Sequence, residues 1–406
     1  MAMGALPAWA AVLEQAELSD WVQAERNAGW THLSDTGLPT RKLESWRYLS
    51  LRPLLSELFL PAQGDTSARV INAEVPSGVR LLDLNSAEAK SLLGSVLTND
   101  VSGFVALNTA NLADALVVHV GRGVHVEEPM NILLAAPSEE VPTIGHPRVL
   151  IVLEESAQAT VVSRFHGEES GTGLTNVVTE VVVGDNAQLD HVIVQDGPKT
   201  SHSIHTVGVR IGAHGCYRST VFELGCGIGR TEVRVSLEGQ GGEAWVDGAY
   251  IGDGDRQLDQ YTLIDHRAER TTSGEIYKGV LRDSAVGTFQ GRILIHPNTP
   301  GCSTSQLNRN LVLSEGAVAN TKPQLEIGND DVRATHGATV GQLDPVGLHY
   351  LRTRGLDTQD AQSLLLMGFV REIVDRVRHQ GVRREVWKRV LSHLGVDDLL
   401  AEDSVS

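Results

Sequence analysis

His336 sits among small residues in RATHGATVG, just after the acidic pair Asp330 and Asp331. An imidazole can bind a metal ion or move a proton near neutral pH. A little further on, Tyr350, Leu351, Arg352, Arg354 and Gly355 belong to a basic, aromatic stretch that Asp344 and Pro345 start as a helix. The thiols Cys216, Cys226 and Cys302 are the soft ligands of the chain. Their odd number and wide spacing give no disulfide framework, and no C-x-x-C pair is present, so buried inert thiols in a reducing compartment are expected. Cys302 falls in HPNTPGCSTSQ, read as a turn before a strand at 309–313. His202 and His205 read as solvated loop residues. Asp253, Asp255 and Asp259 read as a surface acidic loop, because they lack the glycine and distal glutamate of a calcium loop.

Several chemistries are absent from this chain. It has no G-x-x-x-x-G-K-[ST], no G-x-S-x-G and no H-E-x-x-H, and GCGIGR at 225–230 has the spacing of a turn rather than of a dinucleotide fingerprint. A net charge of -17 argues against a broad nucleic-acid or anionic-lipid surface. No run approaches the roughly 20 apolar residues of a membrane helix. The opening MAMGALPAWAAVLEQAELSD lacks a basic n-region, so no signal peptide is read there and a cytoplasmic location is expected.

These residues need a frame, and the pattern divides the chain in three. Residues 1–115 read as helical and mixed. Ser19 and Asp20 cap a helix with Gly29 as its stop, and Leu51, Leu54, Leu55 and Leu58 follow at helical spacing. Residues 116–342 alternate at period two, as in Val207, Val209 and Ile211 against Thr206, Gly208 and Arg210. Turns such as EESAQA, GDNAQ, GAHG and EGQGGEA recur at roughly 25 to 30 residues, the spacing of a solenoid. A parallel β-helix is the reading, with an ordinary β-sandwich as its competitor. Residues 343–406 read as helices. Asp357 and Thr358 cap one whose apolar face is Leu366, Phe369, Val370, Ile373 and Val377, Gly381 breaks it, and Val386, Val390, Leu391 and Leu394 form another face. This tail is expected to cap the open end of the solenoid, to dock a partner, or both.

The run NTKPQLEIGNDDVRATHGATVGQLD at 320–344 with YLRTRGL at 350–356 closely resembles the SufB/SufD family of iron–sulfur cluster assembly scaffolds. ESWRY at 44–48, DHRAERTTS at 265–273 and IYKGVL at 276–281 extend the likeness, and HGATVG is the SufD-like form. The resemblance implies a right-handed parallel β-helix between helical terminal domains. It implies a non-enzymatic subunit acting with a SufB-like scaffold and a SufC-like ATPase. Tyr350, Leu351, Arg352, Arg354 and Gly355 would face the ATPase. His336 would lie at the SufB–SufD seam, where ATP-driven motion rearranges a transient iron–sulfur cluster site and no cluster is stably held by this chain alone. Many SufD sequences carry a cysteine two residues before the histidine. Ala334 stands there in this chain, so His336 would act with ligands from SufB or with a carboxylate such as Asp331. Three alternatives stay open: an exported β-helix enzyme acting on polysaccharide, an acyltransferase with His336 as base (HGATVG resembles a hexapeptide repeat), and a structural homodimer pairing through open β-helix ends.

Overall fold

The computed structural model describes residues 6–11, 18–61, 68–135, 141–166 and 172–396. Most of residues 1–20, on which the reading of the leader rests, therefore lie outside the described residues, as does the end of the tail. From Leu116 onward the chain visits two parallel sheets in turn. One sheet runs from Leu116–Val120 through Arg148–Leu153, Gly173–Val183, Ser201–Ile211, Ile228–Leu237, Gln257–His266 and Val286–Ile295 to Val318–Ile327. The other runs from Met130–Ala135 through Gln158–His166, Gln188–Gln195, Cys216–Glu223, Glu243–Gly252, Thr272–Leu281 and Cys302–Val312 to Val332–Gly341. This is the parallel β-helix read from the alternation and the recurring turns, and the sandwich reading falls. The offset between stacked residues varies from 26 (His202 on Ile228) to 33 (Leu116 on Val149).

The recurring turns EESAQA, GDNAQ, GAHG and EGQGGEA are one stacked corner, whereas the similar turns DSAVG at 283–287 and SEGAVA at 314–319 fall at the opposite corner, where the chain returns from the second sheet to the first. Ser156, Asn186, His214, Gly241, Arg270 and Gly301 all take φ between 54° and 73°. Each donates its backbone N–H to a carbonyl of the next coil, at Asp185, Ala213, Gln240, Glu269, Pro300 and Asp331 in order. A left-handed residue turns the chain inward while keeping its N–H parallel to the axis, so each corner is hydrogen-bonded only when another coil follows. Glycine, asparagine and serine adopt this conformation at little cost, and at His214 and Arg270 the stacked hydrogen bonds hold longer side chains in it.

Between the sheets lies one continuous core of Val, Ile and Leu with Tyr217, Tyr250, Tyr277 and Phe289. It also holds polar side chains. His205 and Asp259, read as solvated, lie in strands and are almost fully buried. His205 faces the core, with Nε2 2.9 Å from Thr179 Oγ1. Asp259 lies on the opposite side of its strand, paired with Arg230 at 2.5 Å. Both corrections have one cause. In a sheet buried on both faces, a polar residue at either parity is inside, so polarity no longer marks the surface. Of the acidic trio, Asp253 does sit at a turn, salt-bridged to Lys199 and Arg256.

The N-terminal region covers the outer face of the first sheet. Trp9, Leu33, Trp46, Leu54, Phe59 and Phe104 pack on Ile144, Leu174, Ile204 and Ile228. Gly29 does not stop its helix, which runs Asp20–Thr36 and ends at Gly37. Instead Gly29 lets the helix Gly103–Ala110 approach, since a Cβ there would lie 2.7 Å from Ala110 N. ESWRY acts as a staple across several coils. Glu44 pairs with Lys322, Ser45 O accepts from Gln290 Nε2 at 3.1 Å, and Trp46 stacks 4.0 Å from the Arg230 guanidinium.

The C-terminal helices do not cap the solenoid end, which corrects the first of the two expectations for the tail. Thr358–Val374 and Gln380–Leu394 lie along the outer face of the second sheet, with Val370, Ile373, Val386 and Val390 against Val162, Val192, Phe222 and Val280. The outward positions of that sheet are apolar, and burying that row removes more hydrocarbon from water than covering a single open coil would. Gly381 lies within the first turn of the last helix, and the preceding helix ends at Val374. Charge pairs fix the register of the helices. Arg164 meets Glu385, Asp196 meets Arg389, Asp247 meets Arg376 at 3.0 Å and Lys278 meets Glu372 at 2.6 Å. Lys278 is 3% exposed and also donates to Phe369 O at 2.7 Å. Lys278→Ala is expected to cost about 2 kcal/mol through these charged hydrogen bonds. Amide exchange in Thr358–Val374 should accelerate accordingly. Unchanged exchange would mean that the apolar face alone holds the helix.

Candidate functional site

The last coil is built from Val318–Ile327 and Val332–Gly341, each paired on one side only. Their outer edges offer unpaired backbone donors and acceptors. Val318, Ile327 and Val340 are 46%, 46% and 50% exposed, so the coil also shows hydrocarbon to solvent. A row of inward positions of the second sheet runs Val161, His191, Ser219, Val246, Glu275, Gln306 and His336, each in register on the one before. His336 ends this row. It is exposed because no coil follows it.

Behind it the row is buried and polar. Gln306 Nε2 donates to Glu275 Oε2 at 2.5 Å. Burial pushes the Glu275 carboxyl up to about 7. Glu223, two inward rows along, is likewise pushed up to about 7 by burial, with Thr231 Oγ1 2.7 Å away. His191 is held by Ser163 at 2.9 Å and Tyr217 at 3.0 Å, and burial lowers it to about 3, so its ring is neutral and structural. Gln306 and Glu275 were missed from the sequence. A signal was there, because Thr304, Gln306, Asn308 and Asn310 place polar groups at one parity for four successive inward positions.

Asp331 lies just before the terminal strand, where its carbonyl accepts from Gly301 N at 2.8 Å. From Val332 to His336 the extended backbone covers roughly 13 Å, so the chain holds the Asp331 carboxylate apart from the imidazole. Ala334 occupies the inward position next to His336, in register with Thr304. Among the described residues no group of three or more His, Cys, Asp or Glu is placed to hold a metal ion.

The thiols are all buried. Burial pushes Cys216 and Cys226 up to about 12, which keeps them as thiols. Cys302 opens the strand Cys302–Val312 rather than lying in a turn, with Thr299 O 3.1 Å from its sulfur.

Immediately after the last strand, Asp344 caps the helix Pro345–Thr353 by accepting from Val346 N and Gly347 N. This helix buries no residue fully. Val346 is 73% and Tyr350 56% exposed. The Arg354 guanidinium lies 5.2 Å from the Tyr350 ring, Arg352 is exposed, Leu351 is half-buried, and Gly355 turns the chain at φ 97°. The structure thus places these five residues together on an exposed helix and the turn that ends it, separated from the terminal strand by Gln342–Asp344 alone.

Such an architecture, with helices along both flanks and a last coil uncovered among the described residues, is that of a parallel β-solenoid protein. The SUF system FeS cluster assembly SufBD core domain matches residues 135–369. The chain is 31% identical to an iron–sulfur cluster assembly SufBD family protein of Mycobacterium tuberculosis, over 91% of this chain and 92% of that protein. It is 29% identical to the iron–sulfur cluster assembly protein SufD of Escherichia coli, over 87% and 89% of the two chains. It is also 29% identical to SufD of Bacillus subtilis, over 71% and 66%. The chain belongs to the SufBD family. Among the described residues no helix is long and apolar enough to cross a membrane.

Proposed function

We propose that this chain is a SufD-type scaffold subunit of an iron–sulfur cluster assembly complex and performs no catalysis of its own. One observation carries the reading. The coil that ends in His336 is uncovered, and the exposed helix bearing Tyr350 follows it directly in the chain. The open edge suits a SufB-like solenoid, whose backbone would continue the two sheets. The exposed helix suits a SufC-like ATPase, and a displacement there would pass through Gln342–Asp344 into the terminal strand. The nascent cluster is the cargo of this seam, and His336 supplies one ligand to a set completed by the SufB-like partner. An acyltransferase reading of His336 finds no support, because the family match spans the histidine segment itself.

The test is co-expression with both partners followed by cluster reconstitution. His336→Ala should leave stability within about 0.5 kcal/mol, as for an exposed site. It should lower cluster yield in the complex by about tenfold, the scale of losing a metal-positioning group. Unchanged yield would reduce His336 to a bystander. ATP hydrolysis by the isolated chain would contradict the scaffold role. Because the same open edge can pair with a second copy of this chain, light scattering with and without the partners separates a homodimer from the heteromer.

A further inference from the structure

Gln306 lies one strand beneath His336 on the same inward row, at the ~4.8 Å spacing of paired strands. It is 2% exposed. Its Nε2 is committed to Glu275, and its Oε1 is buried without a partner. A buried acceptor left unpaired is costly, so a donor within reach will be used. The neighbouring side chains of its own strand are already engaged. Thr304 shares a hydrogen bond with Ser273, and Asn308 donates to Tyr250 and to Tyr277 O. The facing position on the other sheet is Gly291, which has no side chain to offer; a Cβ there would lie 2.3 Å from Gln306 Nε2. His336 stands next on the row.

We propose that Gln306 is a positioning residue for His336, its Oε1 accepting the N–H of one imidazole nitrogen so that the other nitrogen presents its lone pair to the seam. A neutral imidazole carries one donor and one acceptor, so holding the donor selects the tautomer. Glu275 completes the chain by fixing which way the amide faces. The partner-borne cluster would then meet a ring already oriented and need not order it on arrival. The inference rests on the proposed role of His336, but its test needs no partner.

Nitrogen-15 NMR of the histidine-labelled full chain reads the tautomer ratio directly, with His336→Asn identifying the signals. The ratio of the two neutral tautomers of His336 should differ from that of a free histidine side chain by about fivefold, the equivalent of one ordinary hydrogen bond. Gln306→Leu should return the ratio to that of free imidazole, and Gln306→Glu should retain the bias. Unaltered signals from buried His191 report that each variant has folded. A free-imidazole ratio in the parent chain overturns the proposal. So does a ratio that Gln306→Leu leaves unmoved, or one that moves only with Thr321→Val, whose buried hydroxyl on the last coil also has no partner. Loss of cluster yield in His336→Ala with no tautomer bias would leave the scaffold reading standing and remove this one.

Discussion

Glu180→Ala is expected to cost the fold about 3–5 kcal/mol, the range for stranding one member of a buried ion pair. Glu180 is completely buried and bonded to Arg148, itself 2% exposed. Its two oxygens also accept the backbone N–H groups of Gly94, Val96 and Leu97 at 2.8, 3.0 and 3.3 Å. The carboxylate thus ties the N-terminal region to the first sheet, and Leu97 seats over Gly208, where a Cβ would lie 2.3 Å from its Cγ. Alanine strips a buried guanidinium of its counter-charge, leaving it only Asn108 and Thr109, and leaves three amides unpaired at once. Urea unfolding gives the loss, and hydrogen exchange should show the 94–98 segment released first. A loss under about 1 kcal/mol would mean that solvent reaches the pair and that the clasp is ornamental.

Stability should fall as pH rises from about 4.5 to about 7, by about 3 kcal/mol for each of Glu223 and Glu275. The sign follows from burial. Both carboxyls are pushed up to about 7 in the folded chain, whereas an unfolded glutamate ionises near 4.5. Within that window the folded chain holds protons that the unfolded chain has released, so each rise in pH favours unfolding. Below the window the stabilisation is complete, and above it the loss is complete. Buried His191 and His205 act in the opposite sense. Burial lowers both to about 3, so their contribution is present above the ordinary histidine range and is lost as pH falls toward 3. Subtracting the curve of Glu275→Gln from that of the parent chain isolates the carboxyl. The difference should change by about 3 kcal/mol between pH 4 and pH 8, and a flat difference would show that Glu275 titrates as if exposed.

Much of the frame was legible because a coiled parallel sheet repeats itself. The turns GDNAQ, GAHG and EGQGGEA each mark the left-handed corner that the backbone requires, and alternation such as Val207, Val209 and Ile211 marks the inward parity. Period two says which side a residue faces, but it does not say which residue lies beneath it. The coil length drifts between 26 and 33, so the column joining Glu275, Gln306 and His336 emerges only from the register. His205 and Asp259 were misplaced because both faces of these sheets are covered, a fact of packing that their own segments do not announce. The apolar stripe of the tail was visible in Val370, Ile373, Val386 and Val390. Nothing in that stripe distinguishes the end of a rod from its flank, and the choice was made by residues such as Val162, Val192 and Phe222, some two hundred positions earlier. For the candidate site, the exposed helix around Tyr350 could be named from its cap and composition. The supporting amide of Gln306 could not, because its meaning depends on a neighbour thirty residues away.

The two ends of the rod differ. At the start, short strands Ala68–Val70 and Val79–Leu82 run antiparallel to the first coil and blunt it. At the finish both sheets stop bare. On the proposed reading a rod with one adhesive terminus joins one other end to end, so stacking halts at two instead of propagating into a filament. The helix Pro345–Thr353 stays clear of that junction for a further chain.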